Sequence, residues 1–341
     1  MAEEENGQRV VVAEPHLARV EPLPRPEIPE GHCLLRVLRA AVGPSDLHVY
    51  RGEYRRQEYP RVPGAEVLGM IEACEGGVSS VLRVVVPQAL PCGSCAACRG
   101  GTPERCLAPG LLGRDIDGGM RSWMTVPADS TLTVPDDLDD DYAVCIPDTA
   151  FALRLLGHLR DRVTPEGYVV VFGAGFLGVT LTLAALQEGL RPILVDVVQA
   201  RLELARSLGV EHVCNPLRDF IGNQVHWITR TSYAEASVVV SEDPEAVLTA
   251  PTVLRPGGLL LLSGLHTQSS LPAGELVDSS LTVVGLRRSS KLTDDAAAFI
   301  AHNRAVYGSL ISLRLEPESM PQAFELLASD PKSYMKVICS F

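Results

Sequence analysis

Four cysteines, Cys92, Cys95, Cys98 and Cys106, stand in the spacing C-x2-C-x2-C-x7-C. Four thiolates on one short loop can surround a Zn2+ ion tetrahedrally and leave no position open for chemistry, so the set reads as a structural metal site. Prolines 91 and 103 and glycines 93, 100 and 101 help such a loop wrap an ion. Free thiols or a redox dithiol are the alternatives, and four cysteines match a dithiol poorly. A second constellation is Gly173-Ala174-Gly175-Phe176-Leu177-Gly178, a G-x-G-x-x-G that follows the apolar run Tyr168–Phe172 and opens a helical stretch. In that setting Gly173 permits a tight turn, Gly175 admits a pyrophosphate, and Gly178 allows helix and strand to pack closely. The anion would rest on the helix start at Phe176 and Leu177, where N–H groups lack intrahelical partners. Asp196 ends the next apolar run, 18 residues after Gly178. Its carboxylate suits ribose hydroxyls and repels a further phosphate, and Val197 and Val198 offer nothing to hold one. The expected cofactor is therefore NAD(H).

These residues need elements to hold them. Residues 9–90 are rich in Val, Leu and Pro, with alternating stretches such as Cys33 to Leu38, and prolines 15, 22, 24, 26 and 29 exclude long helices. A β-rich domain is expected there, followed by the cysteine loop at 91–110 and strands near 121–127 and 131–135. From about 143 the pattern changes. Helix is expected over 143–160, then strand 168–172, helix 177–188, strand 192–196, helix 199–208 and strand 211–214. Further strands fall at 236–241, 259–263 and 281–285, and a helix over 321–328 precedes a final strand over 336–341. Alternating strands and helices predict an α/β chain with a doubly wound parallel sheet.

The whole chain sets bounds. Its 341 residues, 46% hydrophobic and 21% charged, suit two domains and a large core. A net charge of −12 argues against a nucleic-acid partner. No apolar run approaches the roughly 20 residues of a membrane span, so no membrane partner is expected. Met1 to Gln8 is acidic and polar, unlike a signal peptide, and reads as a frayed tail on a cytoplasmic protein.

Taken together the motifs resemble the medium-chain dehydrogenase/reductase superfamily, in its branch of zinc-containing alcohol, threonine and sorbitol dehydrogenases. The resemblance runs through Ser45-Asp46-Leu47-His48, Val62-Pro63-Gly64-Ala65-Glu66, the cysteine loop, Gly118-Gly119, the glycine turn, Arg255-Pro256-Gly257-Gly258 and the strand opening at Lys336. It implies a GroES-like catalytic domain over 1–147, a Rossmann domain over 148–287 and a return to the catalytic domain over 288–341, with the active site in the cleft between them. It also implies a homodimer or homotetramer, with the strand at 281–285 pairing across a two-fold axis.

Two of the family's catalytic zinc ligands are absent. The Cys of C-G-[ST]-D-x-H is Gly43 here, and the His of G-H-E is Ala65. The third ligand falls on Cys145 or Ile146, and spacing to Thr149 favours Cys145. One thiolate cannot hold a zinc ion, although Asp148 and Glu66 are candidates for a rebuilt site. Other positions match. Ser45 matches the hydroxyl that exchanges a proton with substrate, and His48 the outer member of that relay. Thr149 matches a residue beside the nicotinamide, and Arg201 a basic residue at the adenine ribose. Each has a simpler reading: Ser45 as a helix cap near Asp46, Cys145 as a small buried hydrophobe. The expectation is an NAD(H)-dependent oxidoreductase with one structural Zn2+ and no catalytic zinc. It would act on a small, specialised metabolite bearing an activated C=C, C=N or carbonyl/alcohol. The alternatives are a dehydrogenase with an unconventional metal site and a cofactor-binding scaffold without catalysis.

Overall fold

Apolar segments broken by prolines cannot run as helices, and the N-terminal part of the chain folds into β structure. The computed structural model describes residues 7–75, 77, 82–263, 270–288, 292–330 and 332–341. The chain divides into two units, 1–150 with 288–341, and 151–287. Of the tail read over Met1 to Gln8, residues 1–6 lie outside the described residues. Gly7 and Gln8 are not frayed but open β1 (Gly7–Glu14), which pairs antiparallel with β2 (Leu17–Leu23). Then come β3 (His32–Val42), α1 (Pro44–Arg51), β4 (Glu66–Cys74), β5 (Arg83–Val86) and β6 (Ala89–Leu90). The cysteine loop carries the single turn α2 (Ala96–Arg99), after which β7 (Gly110–Leu111) pairs back on β6. β8 (Trp123–Pro127) and β9 (Leu132–Thr133) end this run of strands.

Strict alternation fails in β3, where Cys33, Leu34, Leu35 and Val37 are all buried. The cause is local: its register against β4 shifts between Leu34 and Leu35 and again between Val37 and Arg39. Each irregularity breaks the two-residue period and turns consecutive side chains inward. Cys33 faces Cys74 across the same ladder, and the two form a disulfide. The helix expected from 143 is two pieces, α3 (Asp140–Ala143) and α4 (Ile146–Arg160). Pro147 has no N–H to donate to the carbonyl of Ala143, so the helix restarts there, with Asp148 in its first turn.

The second unit is a sheet of six parallel strands in the order β12-β11-β10-β13-β14-β15. They are β10 (Tyr168–Phe172), β11 (Arg191–Val195), β12 (His212–Cys214), β13 (Ala234–Val239), β14 (Leu254–Leu262) and β15 (Thr282–Gly285). The chain adds β11 and β12 on one side of β10 and then β13 to β15 on the other, and the crevice at such a switch in strand order is where doubly wound sheets bind ligands. Around it lie α5 (Phe176–Gln187), α6 (Gln199–Ser207) and α7 (Ile221–Ile228), the last absent from the sequence-based expectation.

The chain then returns to the first unit. β16 (Ile311–Leu315) and β17 (Lys336–Ser340) complete a sheet ordered β16-β17-β3-β4-β5-β9, with β8 pairing the first half of β3 along the edge whose second half pairs β17. One of its cores packs Val10, Val12, Val49, Phe324 and Val337, with Tyr50 stacked on Phe324 at 5.3 Å.

The tightest steric constraint of the second unit is at Gly178, where an added Cβ would lie 1.7 Å from the carbonyl oxygen of Gly173. Overpacking a close contact typically costs about 1–3 kcal/mol. Gly178→Ala should therefore lower the melting temperature by several degrees, as a thermal melt would read; an unchanged melt would contradict this packing.

Candidate functional site

Gly173 adopts a φ of +110° at the C-terminal end of β10, a conformation that L side chains rarely take. Gly175 is the N-cap of α5, and an added Cβ there would meet nothing within 4 Å. Close packing at Gly178 and open space at Gly175 are what an anion on the helix N-terminus needs, and Phe176 and Leu177 supply the first N–H groups. Asp196 follows β11. Its Oδ2 accepts from the backbone N–H of Ala174 at 2.6 Å and its Oδ1 from that of Val198 at 2.7 Å. The Arg201 guanidinium stands 3.9 Å from Oδ2. The carboxylate thus ties the glycine turn to the start of α6, a bracing role that its position in the sequence does not reveal.

In the first unit the four loop sulfurs come together. The Sγ atoms of Cys92, Cys95, Cys98 and Cys106 all lie within 4.8 Å of one another, with Cys95 3.5 Å from Cys98 and 3.9 Å from Cys106. A tetrahedral ion with Zn–S bonds of about 2.3 Å needs sulfurs about 3.8 Å apart, so the residues fit zinc. Cys106 is buried, and its sulfur accepts the N–H of Cys92 at 3.2 Å, a contact that suits a thiolate. Among the described residues this is the one group of three or more Cys, His, Asp or Glu side chains close enough to enclose an ion.

Beside Gly43, which the resemblance reads as a lost metal ligand, lies a buried cluster of charged side chains. Lys336 opens β17, which pairs with β3, and β3 pairs in turn with β4, which opens at Glu66. One residue past the Val42–Val337 pair stand Gly43 and Lys336. The Lys336 Nζ donates to Glu66 Oε1 at 2.5 Å and to Asp148 Oδ2 at 2.7 Å. Lys336 and Glu66 are each 2% exposed and Asp148 5%. Asp148 Oδ1 accepts from Gln88 Nε2 at 3.1 Å and from Arg288. Glu66 Oε2 is buried and receives no hydrogen bond from any described group. Burial opposes the charge on Asp148, but Arg288 and then Lys336 overcome it and hold the carboxyl well below its usual range. For Glu66 burial wins: desolvation, then the negative charge of Asp148, push its pKa up to about 8 despite Lys336. Asp46 is raised to about 6 by burial, although it accepts the backbone N–H groups of Gly43 at 2.9 Å and Gly64 at 2.7 Å.

Gly43 and Ala65 offer no donor atoms. The buried Cys145 thiol donates weakly to the carbonyl of Asp141 at 3.6 Å, and burial pushes its pKa up, so it behaves as a small hydrophobe. Around the absent side chain of Gly43 lie Asp46 Oδ2 at 3.9 Å, Glu66 Oε1 at 3.9 Å and Ser45 Oγ at 4.0 Å. Ser45 does not cap α1; Gly43 holds that position and Asp46 reaches back to it. Ser45 and His48 both stand on α1, and His48 Nδ1 pairs with Glu53. Thr149 is buried, with its Oγ1 2.7 Å from the Tyr307 hydroxyl. The roles of Lys336, Arg288 and Gln88 escaped sequence reasoning. A signal was present: the chain has only three lysines, at 291, 332 and 336, and one opens an otherwise apolar strand.

Metal analysis should find zinc on the cysteine loop. Cys106→Ser should release it and lower thermal stability, since structural zinc contributes directly to folding free energy. A Cys106→Ser protein with full zinc content would contradict the assignment.

Comparison with known proteins agrees with this architecture. Residues 29–136 match the family model for the alcohol dehydrogenase GroES-like domain, and residues 177–329 that for zinc-binding dehydrogenases. An uncharacterised zinc-type alcohol dehydrogenase-like protein of Haemophilus influenzae is 29% identical over 99% of both chains. The sorbitol dehydrogenase of Bacillus subtilis is 25% identical over 98% of this chain and 97% of its own. The crystal structure of an Escherichia coli alcohol dehydrogenase, RspB, in complex with NADH is 25% identical and superposes with a TM-score of 0.86 over 98% of this chain and 99% of that one. With both of its units matched, the chain belongs to the medium-chain dehydrogenase/reductase superfamily and is an oxidoreductase of the zinc-type alcohol dehydrogenase kind that takes a nicotinamide cofactor.

Proposed function

We propose that this oxidoreductase uses NAD(H), keeps one structural zinc in the cysteine loop, and transfers hydride without a catalytic metal. One observation carries the reading: a lysine ammonium is locked between Glu66 and Asp148, beside Gly43 and Ala65, which have no ligand atoms. The residues present do not fit a second zinc. A cation brought to Glu66 and Asp148 would meet the positive charge of Lys336 at hydrogen-bond distance.

Hydride transfer belongs to the nicotinamide, and the protein's part is placement and charge control. Without a Lewis acid to stabilise an alkoxide, the favoured substrates carry their own electron sink: a conjugated C=C, a C=N or an activated carbonyl. The substrate is a small, specialised metabolite. Ser45, half-buried on α1, is assigned the contact with its polar atom, and His48 the outer position on the same helix. Thr149 and Arg201 are assigned to cofactor placement. The edge strand β15 is assigned to a subunit contact in a homodimer or homotetramer.

The decisive experiment pairs metal analysis with turnover. Purified protein should hold one zinc per chain. NADH oxidation driven by probes such as cinnamaldehyde, a cyclic imine or benzaldehyde should survive a chelator treatment that leaves that zinc in place. A second zinc per chain, or activity lost with a chelated ion and restored by adding it, would overturn the reading. Ser45→Ala should slow turnover of a carbonyl probe by about 10²–10⁴-fold while leaving NADH affinity nearly unchanged, and much less with an iminium, which accepts hydride without a proton.

The cofactor assignment is tested separately. NADP carries an extra phosphate that the Asp196 carboxylate would repel, so NAD should bind more tightly. Asp196→Ala should weaken NAD binding and narrow the difference. Tighter binding of NADP by the unaltered protein would refute the preference.

A further inference from the structure

We infer that the second unit carries a further ligand site, at the amino ends of its first three strands, which takes a small anion bearing an aromatic ring. The site is independent of the reaction assigned above.

A cavity of about 820 Å3 lies there, lined by the residues that open three strands: Tyr168 of β10, Arg191 of β11 and His212 of β12. Small-molecule sites commonly span roughly 300–1,000 Å3. The glycine turn follows the carboxyl end of β10 and Asp196 that of β11, so the cavity and the cofactor turn lie at opposite edges of one sheet. Ile228 closes α7, and the turn after it contributes Arg230 and Ser232 to the lining.

The backbone of this region is strained. Among the described residues, six other than glycine adopt a left-handed φ, and three of them follow α7: Arg230 at +52°, Thr231 at +77° and Tyr233 at +57°. A fourth is Glu166 at +60°, whose carboxylate pairs with Arg191. A Cβ disfavours this conformation, most of all in a β-branched residue such as Thr231, whereas glycine adopts it freely. Strain of this kind persists where the side chains themselves are needed, as at ligand-binding turns.

The charges of the cavity are unevenly matched. Arg191 is paired with Glu166, and its guanidinium lies 5.7 Å from the centre of the Tyr168 ring. His212 Nε2 stands 3.8 Å from the carboxylate of Glu211. Arg230 is the charged lining residue left over: it is exposed, and its guanidinium has no ion-pair or hydrogen-bond partner among the described residues. A guanidinium presents two parallel N–H groups to a carboxylate or phosphate. The rings of Tyr168 and His212, 6.4 Å apart and tilted by 45°, supply aromatic surface for a ring attached to that anion. The carboxyl end of α7 also favours a cation nearby. A cation that served the helix end alone would need neither a cavity nor a left-handed backbone.

Titration calorimetry on the NADH-saturated protein tests the site, with phenyl phosphate and benzoate as probes. Inorganic phosphate has the charge without the ring, and benzyl alcohol the ring without the charge. At least one probe should bind, with one site per chain and about tenfold or more tighter than either control. Phenyl phosphate alone would identify a phosphate ester as the ligand, and benzoate alone a carboxylate. Arg230→Gly should weaken that binding by about tenfold or more and leave NADH affinity unchanged. It should also keep or raise the melting temperature, because glycine takes this backbone without strain. Should Arg230→Gly fail to fold, His212→Ala should weaken binding of the same probe by removing a ring contact. Failure of both probes to bind at millimolar concentration overturns the inference. So does binding that is unchanged in Arg230→Gly, or binding that benzaldehyde displaces, which would belong to the substrate site instead.

Discussion

A lysine ammonium buried between two carboxyl groups is the constraint on which the first unit of this protein turns. Three distant stretches of chain must meet to make it: the start of β4, the first turn of α4 and the start of β17. Charges this deep are stabilising only when each is paired and hydrogen-bonded, because desolvation otherwise exceeds the Coulombic gain. Lys336 therefore fixes β17 against β3 and fixes the entry of α4 through Asp148. Pro147 contributes by restarting the helix where Asp148 falls in its first turn. Arg288 and Gln88 complete the shell of Asp148, whereas Glu66 Oε2 receives no hydrogen bond from any described group.

The second unit depends on a different kind of restraint. Its glycine turn is held by contact distance: Gly178 leaves no room for a methyl group against Gly173, whereas Gly175 opens on free space. Asp196 then ties the turn to the next strand by accepting the N–H of Ala174. The residue expected to select the cofactor is also a brace of the loop that would receive its pyrophosphate. Substitution at Asp196 thus bears on the shape of the turn as well as on charge.

Much of this could be read in the sequence because its signals are local. The glycine turn, the acidic residue after the next strand and the cysteine spacing each lie within a short window, and the alternation of strands and helices fixes the parallel sheet. What stayed hidden was non-local or depended on backbone irregularity. Nothing near Lys336 in sequence tells that Glu66 is its partner; the two are 270 residues apart and meet only through the ladders of β3. The register shifts of β3 bury consecutive residues that a two-residue period would alternate. Pro147 splits a helix that periodicity runs together. Ser45 and His48 matched a relay in sequence, and the pairing of His48 with Glu53 on the same stretch of chain was not part of that match.

The same cluster bears on the range of chemistry. A divalent ion with an open coordination position can take up the full negative charge of an alkoxide. The ammonium of Lys336 carries one charge and already donates to two carboxyl groups, so little of its field is left for a substrate oxygen. What the chain offers beside the space at Gly43 is the Ser45 hydroxyl. Such a hydroxyl assists a substrate that develops little charge or spreads it over its own π system, and does far less for a saturated alcohol whose oxidation requires a localised alkoxide. Replacing two metal ligands by Gly43 and Ala65, in this reading, moves the protein within its superfamily from alcohols toward activated double bonds, while the fold, the structural zinc loop and the dinucleotide turn stay as they are.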